Sequence, residues 1–89
     1  MMDSEKIIYD LCDVKHRIPK PDRIEFHLLP HRTTSRLTLQ QLGDAIESYT
    51  GDLMFDEVFY FIDACQVDAE FLKAVIRRKR INAKITLIR

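Results

Sequence analysis

Two acidic residues and a cysteine follow the apolar run of residues 58–62, and they are the side chains best placed for chemistry. Asp63, Cys65 and Asp68 would lie at the carboxyl end of a strand, where parallel sheets bind ligands. His31 or Arg32 could supply the basic neighbour that a nucleophilic cysteine needs, but the residues after Cys65, QVDAEF, contain no arginine or glycine-rich anion-binding loop. The acids lack a matching cluster elsewhere that would complete a metal site. We therefore predict that the protein is not an enzyme, and we expect no cofactor and no metal.

A polar loop before the second expected helix is the best candidate for an anion site. It consists of Arg32, Thr33, Thr34, Ser35 and Arg36. Backbone N–H groups at a helix N-terminus, hydroxyls and guanidinium groups together suit a phosphate or a carboxylate. The loop has no glycine of the kind found in phosphate-binding loops, and its residue types are also common in solvated turns. It is therefore a candidate anion-binding loop only.

Four consecutive bases, Arg77, Arg78, Lys79 and Arg80, occupy the last turn of the third expected helix. Cations at that position oppose the negative end of the helix dipole, but four exceed what the dipole requires. Aromatic residues interleaved for base stacking are absent from this run. The four bases are therefore candidate contacts for a protein partner or for nucleic-acid phosphates.

Charge is distributed unevenly along a chain whose formal net charge is zero. Residues 37–72 contain eight acids and no base, and residues 73–89 contain seven bases and no acid. Such segregation indicates an interaction surface of one sign, aimed at a partner of the opposite sign. Asp44 and Glu47 mark the candidate acidic protein-binding face.

Length and composition limit the classes of protein to which this chain can belong. The chain has 89 residues, of which 46% are hydrophobic, and this fits one small globular domain spanning residues 1–89. No apolar run approaches the roughly 20 residues of a membrane span. The N-terminal segment MMDSEKIIYD has acidic residues where a signal peptide needs basic ones. We therefore expect a cytoplasmic protein that does not contact a membrane. Cys12 and Cys65 are too few for a disulfide scaffold.

The first element is predicted to be an appended helix over residues 1–18. Asp3 can cap it, and the two prolines of RIPKP would stop it. Its apolar stripe, formed by residues 7, 8, 11 and 12, would either cover the sheet or be available to a partner. Because a small sheet also leaves two edges uncovered, we expect a homo-oligomer.

The rest of the chain alternates strand and helix patterns. Residues 23–29 alternate apolar and polar side chains, whereas residues 58–62 are an unbroken run typical of a strand buried on both faces. Residues 83–88 form a third apolar strand. The intervening helices are predicted to begin at Thr38 and Asp68, with Gly51 and Asn82 at their ends. Gly43, inside the first of them, indicates close packing.

This order predicts an α/β fold, with a small three-stranded, mainly parallel β-α-β-α-β sheet and an extra N-terminal helix. If residues 53–55 form a further strand, the alternative is an α+β, ferredoxin-like β-α-β-β-α-β arrangement. That alternative needs a tight turn at Asp56-Glu57, a poor sequence for the positive φ angles of a two-residue hairpin. We therefore favour the parallel arrangement.

The function expected from these patterns is a non-catalytic protein-interaction or regulatory module that binds a protein partner through charge-segregated surfaces. The alternative is a nucleic-acid-binding protein that uses the basic end of the last helix. A contiguous basic face would favour nucleic acid. Bases already neutralised by Asp44 and Glu47 would weigh against it.

Overall fold

The structure is a computed structural model that describes residues 3–32 and 35–88. In chain order the elements are α1 (Ser4–Leu11), β1 (Cys12–Lys20), β2 (Arg23–Pro30), α2 (Arg36–Asp52), β3 (Glu57–Asp63), α3 (Ala69–Arg77) and β4 (Lys84–Ile88). The strands form one sheet in the order β1-β2-β3-β4. The first pair is antiparallel and the other two pairs are parallel. The fold is thus of the α/β class, with a mixed sheet.

The prediction of a three-stranded sheet is wrong, because residues assigned to the N-terminal helix form a fourth strand. The helix ends at Leu11, and Cys12 already has extended backbone angles, with φ −138° and ψ 153°. Residues 13–18 alternate in side-chain character with a period of two, which suits a strand. Pro19 lies near the end of this edge strand, where a missing N–H group is tolerated. The antiparallel register runs from Cys12 opposite Pro30 to Lys20 opposite Arg23.

The parallel arrangement of the other three strands is confirmed. Residues 53–55 are not in a strand, so the ferredoxin-like alternative is wrong. In the parallel register Ile24 lies opposite Val58, and Tyr60 lies opposite Ile85. Each step from β2 to β3 to β4 moves to the next strand in the same direction across the sheet. Right-handed crossovers in one direction place both connecting helices on the same face.

Side-chain caps begin all three described helices, two of them as predicted. Asp3 and Asp68 each accept a hydrogen bond from a first-turn backbone N–H group, at 3.1 and 3.0 Å respectively. The predicted start of α2 at Thr38 is wrong. Ser35 is the cap, and its Oγ accepts from the Thr38 N–H at 3.3 Å. The earlier start adds Arg36 to the helix.

The predicted helix ends are also wrong. Gly51 lies within α2, which continues to Asp52, and α3 ends at Arg77 rather than near Asn82. No described residue has a positive φ, so neither Gly51 nor Asn82 closes its helix in the left-handed conformation. The chain therefore leaves both helices through ordinary backbone angles.

One hydrophobic core lies between the helices and one face of the sheet. Ile8, Leu39 and Leu72, from the three helices, pack in it with the strand residues Phe26 and Tyr60. Other core members come from alternate positions of the strands: Cys12, Ile24, Leu28, Val58 and Ile62. The stripe of α1 is thus part of this core, and the prediction that it offers a partner surface is wrong.

The close packing predicted at Gly43 is confirmed. A Cβ atom at this position would lie 2.6 Å from Val75 Cγ1 and 3.0 Å from Lys79 Cε. Real Cβ contacts are not that short, so α2 and α3 approach each other only because residue 43 has no side chain. This contact fixes how α3 sits beside α2.

Candidate functional site

The face of the sheet opposite the helices has no covering layer among the described residues, and we call it the open face. Alternation along the four strands decides which side chains point to it. They are Asp13, Lys15, Arg17, Arg23, Glu25, His27, Leu29, Glu57, Phe59, Phe61, Asp63, Lys84, Thr86 and Ile88. The apolar residues Phe59 and Phe61 lie on the inner strand β3, whereas Leu29 and Ile88 lie at one end of the face beside Asp13 and Asp63.

Strand β3 shows most directly that this face lacks a layer. Its helix-facing residues Val58, Tyr60 and Ile62 are buried, whereas Phe59 and Phe61 are only half-buried. The sequence pattern predicted burial on both faces, and that prediction is wrong for the isolated chain. The strand therefore carries two aromatic side chains on a surface that solvent reaches.

An aromatic row crosses the middle of the open face, and it consists of His27, Phe61 and Phe59. The rings of His27 and Phe61, which are cross-strand neighbours, stack with centroids 4.9 Å apart and planes 19° apart. The rings of Phe59 and Phe61 are nearly parallel, at 10°, with centroids 6.5 Å apart. These neighbours restrict the rotamers of Phe61, so less conformational entropy is lost when a partner contacts it.

A group of three charged residues supports one end of the row. Glu25 Oε1 accepts a hydrogen bond from Arg17 Nε at 2.6 Å, and Glu25 Oε2 lies 3.0 Å from Arg23 Nε. The Glu25 side chain is only 6% exposed. The hydrogen bond from Arg17, with the charges of both guanidinium groups, holds the pKa of Glu25 below its ordinary value. The ionised carboxylate thus fixes both arginines on the open face.

The charges of the open face balance. Its four acids are Asp13, Glu25, Glu57 and Asp63, and its four bases are Lys15, Arg17, Arg23 and Lys84. They are not evenly mixed along the strands. Asp13 and Asp63 lie at the end where β2 and β3 finish, whereas Arg17, Arg23 and Lys84 lie toward the other end. The face is therefore neutral as a whole and weakly dipolar along the strands.

A shallow depression of about 380 Å³ lies beside Phe61 on the open face. Leu29 and Ile88 supply apolar walls, and Asp13, Lys15 and Asp63 supply charged ones. Ile88 is 48% exposed, a large value for an isoleucine in a strand. This depression can receive an apolar side chain from another molecule.

The basic run and the acidic face predicted from the sequence contact each other. Lys79 Nζ pairs with Asp44 Oδ1, and the backbone N–H of Arg80 donates to Glu47 Oε2 at 3.0 Å. The Lys79 side chain is only 19% exposed. Both contacts join α2 to the chain at the end of α3. Arg77 and Arg78 remain exposed.

The candidate anion-binding loop is only partly described, because Thr33 and Thr34 lie outside the described residues. Ser35 caps α2, as noted above. Arg36 Nη2 lies 3.3 Å from Asp68 Oδ2, and its guanidinium is 5.2 Å from the centroid of the Phe71 ring. Arg32 is exposed. Arg36 thus ties the start of α2 to the start of α3, whereas Ser35 stabilises the first turn of α2.

Near β3, the acids Asp63 and Asp68 accept hydrogen bonds from backbone N–H groups. Asp63 Oδ1 accepts from the Cys65 backbone N–H at 3.1 Å, so this carboxylate stabilises a turn. Cys65 is exposed, whereas Cys12 is buried, and burial raises the pKa of the Cys12 thiol to about 12. Among the described residues, no three histidine, cysteine, aspartate or glutamate side chains come together in a way that could hold a metal ion.

Comparison with known proteins adds no relative: no protein family, no curated protein and no solved structure matches this chain. Across residues 3–32 and 35–88, no helix has the length and apolar character to cross a membrane. The candidate surface is therefore assigned from its own geometry.

Sequence reasoning missed the open face as a site for two reasons. It assigned residues 12–18 to a helix, although the alternation of Val14 and His16 with Asp13 and Lys15 was a usable strand signal. It also took the double-sided apolar pattern of residues 58–62 to mean two covering layers. That pattern does identify Phe59 and Phe61 as residues suited to burial.

Proposed function

We propose that this protein is a non-catalytic interaction module that binds a protein partner with the open face of its sheet. The observation that carries the proposal is the position of Phe59 and Phe61, two half-buried aromatic side chains on a face without a helix. Aromatic side chains in such surfaces are the usual anchors of protein interfaces. A partner bound to the open face would cover β3, whose apolar sequence is typical of a strand buried on both faces.

The arrangement of polar and apolar groups supports a protein partner. An apolar centre with a charged rim is the common anatomy of protein–protein interfaces. Phe59 and Phe61 lie on the inner strand β3, Leu29 and Ile88 lie at one end of the face beside Asp13 and Asp63, and the depression beside Phe61 offers a pocket for an anchor side chain. Such pockets are where binding energy concentrates in measured interfaces.

Nucleic acid is the second candidate class, because aromatic side chains on an open sheet also stack RNA bases. The charge balance of the face weighs against it. Polyanion binding depends on a surplus of bases, and the four acids of the open face cancel its four bases. The basic run also loses part of its charge, because Lys79 pairs with Asp44.

The proposed binding surface is the open face and not the charge-segregated segments of the chain. The contacts that Asp44 and Glu47 make with Lys79 and Arg80 support a structural role for those residues. The open face uses charges of both signs, drawn from all four strands. We also propose that the module acts in the cytoplasm, where an exposed thiol such as that of Cys65 stays reduced.

Photo-crosslinking in source cells tests the proposal. A benzoylphenylalanine residue replaces Thr86, an exposed residue of the open face, and in a control chain it replaces Gln40, an exposed residue of α2. We expect protease-sensitive, nuclease-resistant adducts from position 86 and far fewer from position 40. No adduct from position 86, or an adduct that nuclease removes, would contradict the proposal.

A further inference from the structure

We infer that the outer edge of β4, together with the groove between β4 and α3, binds an extended acidic segment of a partner protein as a fifth strand of the sheet. This surface is separate from the open face, so the inference goes beyond the proposed function. Strand addition uses two features of a sheet edge. An unpaired backbone supplies hydrogen bonds, and neighbouring pockets recognise alternate side chains of the added strand.

The outer edge of β4 presents backbone groups that no described strand pairs with. β4 is the last strand in the sheet order, and β3 is its neighbour. The Ile88 carbonyl accepts from the Ala64 N–H group at 2.7 Å, so the backbone groups of Ile88 point toward β3. Successive residues of a strand direct their backbone groups to opposite edges, so those of Ile85 and Leu87 point away from the sheet. Each of these two residues therefore offers one N–H group and one carbonyl to an extended segment.

The other edge of the sheet is less suited to strand addition. Strand β1 carries Pro19, and its register shifts between Arg17 and Lys20, two features that hinder pairing with a further strand. Strand β4 has no proline, and its register with β3 is regular from Lys84 to Ile88. Lys84 is the one charged residue of β4, and a charge at an edge opposes pairing with neutral or basic segments. An acidic segment would instead be attracted to it.

A groove of about 380 Å³ runs beside this edge on the helix side of the sheet. Ile85 and Leu87 of β4 and Ile76 of α3 line it, and all three side chains are only half-buried. The contact of Gly43 with Val75 brings α3 against α2, and no described helix lies beyond α3 to cover β4. A strand added at the edge would place alternate side chains over these apolar residues. The groove therefore recognises apolar residues at every second position.

The charged residues around the edge favour an acidic partner. Lys73 and Arg77 of α3 line the groove, and Glu70 is the one acid among its described lining residues. Lys84 flanks the same edge from the open face. Within residues 3–32 and 35–88, no carboxylate forms an ion pair with any of these three bases. The bases are thus available to the carboxylates of a bound segment.

The connection through α3 determines where those carboxylates would lie. Helix α3 runs back from the end of β3 to the beginning of β4, so its last residue, Arg77, lies toward the same end of the groove as Lys84. Glu70 lies in the first turn of α3, toward the other end. Acids of the bound segment would therefore be concentrated near the beginning of β4, and its apolar residues would extend toward Leu87.

Fluorescence anisotropy with labelled peptides tests the inference on the purified full-length chain. The probe is a fluorescein-labelled peptide of alternating valine and glutamate that is long enough to span β4, and its control alternates valine and lysine. We expect the valine–glutamate peptide to bind and the valine–lysine peptide to bind at least about tenfold more weakly, because like charges repel.

Two N-methylated forms of the probe test the backbone contact on the unchanged protein. One carries N-methyl groups on its valines only, and the other carries them on its glutamates only. In an added strand every second N–H group points toward β4, so one of the two peptides should bind at least about tenfold more weakly than the other. Which of them loses affinity gives the direction of the added strand.

Arg77→Glu tests the charge contact, and Arg78→Glu is its matched control. Both residues are exposed bases at the end of α3, and both substitutions change the net charge equally. Arg78 lines a different depression, beside Gln40 and Asp44 of α2. Arg77→Glu should raise the dissociation constant of the probe at least about tenfold. Arg78→Glu should raise it no more than about twofold at physiological salt, where distant charges are screened.

Several results would overturn the inference. They are the absence of binding by the valine–glutamate peptide, equal binding of the valine–lysine peptide, equal affinity of the two methylated peptides, and equal effects of Arg77→Glu and Arg78→Glu. Displacement of the probe by single-stranded oligo-dT would assign the bases to nucleic acid. A dimer of the unchanged chain that the probe dissociates would assign the edge to a second copy, and either result would likewise overturn the inference.

Discussion

The guanidinium of Arg23 lies 3.9 Å from the centroid of the Phe59 ring, directly over a side chain of the open face. The Nε atom of the same guanidinium lies 3.0 Å from Oε2 of Glu25, whose side chain is nearly buried. Cation–π contact and ion pairing thus act on one arginine and orient one end of the aromatic row. The open face is ordered before any partner arrives, which lowers the entropic cost of binding.

Replacing Glu25 with glutamine should destabilise the protein at neutral pH. The pKa of Glu25 is below the ordinary 4.5, chiefly because of the hydrogen bond from Arg17, so its carboxylate stabilises the folded state above that pH. The contribution decreases as the pH falls below 4.5 and is lost once the pH passes the lower pKa of the folded state. Urea unfolding of both proteins at pH 7, 5, 4 and 3 (about one unit apart through the region where carboxyls titrate) measures this. A stability difference that does not shrink with falling pH would contradict the expectation.

Gly43→Ala and Gly51→Ala should change stability in opposite directions. Alanine favours helix formation over glycine by about 1 kcal/mol, but a Cβ at residue 43 would collide with Val75 Cγ1 at 2.6 Å. Overpacking typically costs about 1–3 kcal/mol, so Gly43→Ala should lower the free energy of unfolding. Gly51 has nothing within 4 Å of a Cβ, and its replacement should raise the free energy by about 0.5–1 kcal/mol. Thermal unfolding followed by circular dichroism compares the two, and the same sign for both would count against the tight contact of α2 with α3.

Thr50→Val should cost more stability than Tyr60→Phe. Thr50 Oγ1 donates to the Ile46 carbonyl at 2.6 Å, so the Tyr60 hydroxyl, also at 2.6 Å, must donate to Thr50. Valine would leave the buried hydroxyl without its acceptor, at about 1–3 kcal/mol, whereas phenylalanine removes a bond worth about 0.5–1.5 kcal/mol. Chemical unfolding of both variants at pH 7, where both hydroxyls are neutral, gives the order, and the reverse order would show that Tyr60 finds another acceptor.

The same tyrosine should make the protein sensitive to alkali. Burial raises the pKa of Tyr60 from 10.0 to about 12 in the folded protein. The neutral phenol therefore stabilises the fold fully below pH 10, and this contribution is lost as the pH rises through about 12. Absorbance of tyrosinate during a pH titration should show a group ionising near pH 12 that Tyr60→Phe removes. Persistence of that group in the variant would assign it to another tyrosine.

The two cysteines should differ sharply toward a thiol reagent such as dithiobisnitrobenzoate. Cys65 is exposed and should react in the folded protein, whereas Cys12 is 3% exposed and its pKa is raised to about 12 by burial. Cys12 should therefore react only when the chain unfolds. The Cys65→Ser variant is the control, since it should show no reaction before denaturant is added and one thiol afterwards. Rapid reaction of that variant without denaturant would mean that β1 opens readily from β2.

Local patterns in the sequence determined several elements correctly. Asp68 caps α3 because its carboxylate accepts a backbone N–H group of the first turn, a contact that depends only on neighbouring residues. Residues 58–62 form a strand because β-branched and aromatic side chains suit no other regular element as well. Gly43 indicated close packing, because a glycine inside a helix costs about 1 kcal/mol relative to alanine and a close neighbouring helix can offset that cost. The cap and the strand are short-range effects that the sequence contains, whereas only the structure shows that the neighbour of Gly43 is α3.

In residues 12–20 two local signals compete, one for a helix and one for a strand, and the prediction followed the wrong one. Asp3 begins a helix whose apolar stripe includes Cys12, so the local signal continues past the residue where the helix ends. The alternation from Asp13 to Ile18 was compatible with a strand only if a neighbouring strand was free to pair. The edge of β2 supplies that neighbour, with Cys12 opposite Pro30, and a contact between residues so far apart in the chain has no local signature.

Only the tertiary structure determines which face of the sheet is left without helices. The sequence predicted two parallel crossovers, but the order of strands in the sheet determines which face each helix covers. Because β2, β3 and β4 follow one another in one direction, both right-handed crossovers place their helices on the same side. A second crossover in the opposite direction across the sheet would have placed α3 on the face of Phe59 and Phe61. Strand order therefore leaves these two side chains, which the sequence marks for burial, on a surface that another molecule can cover.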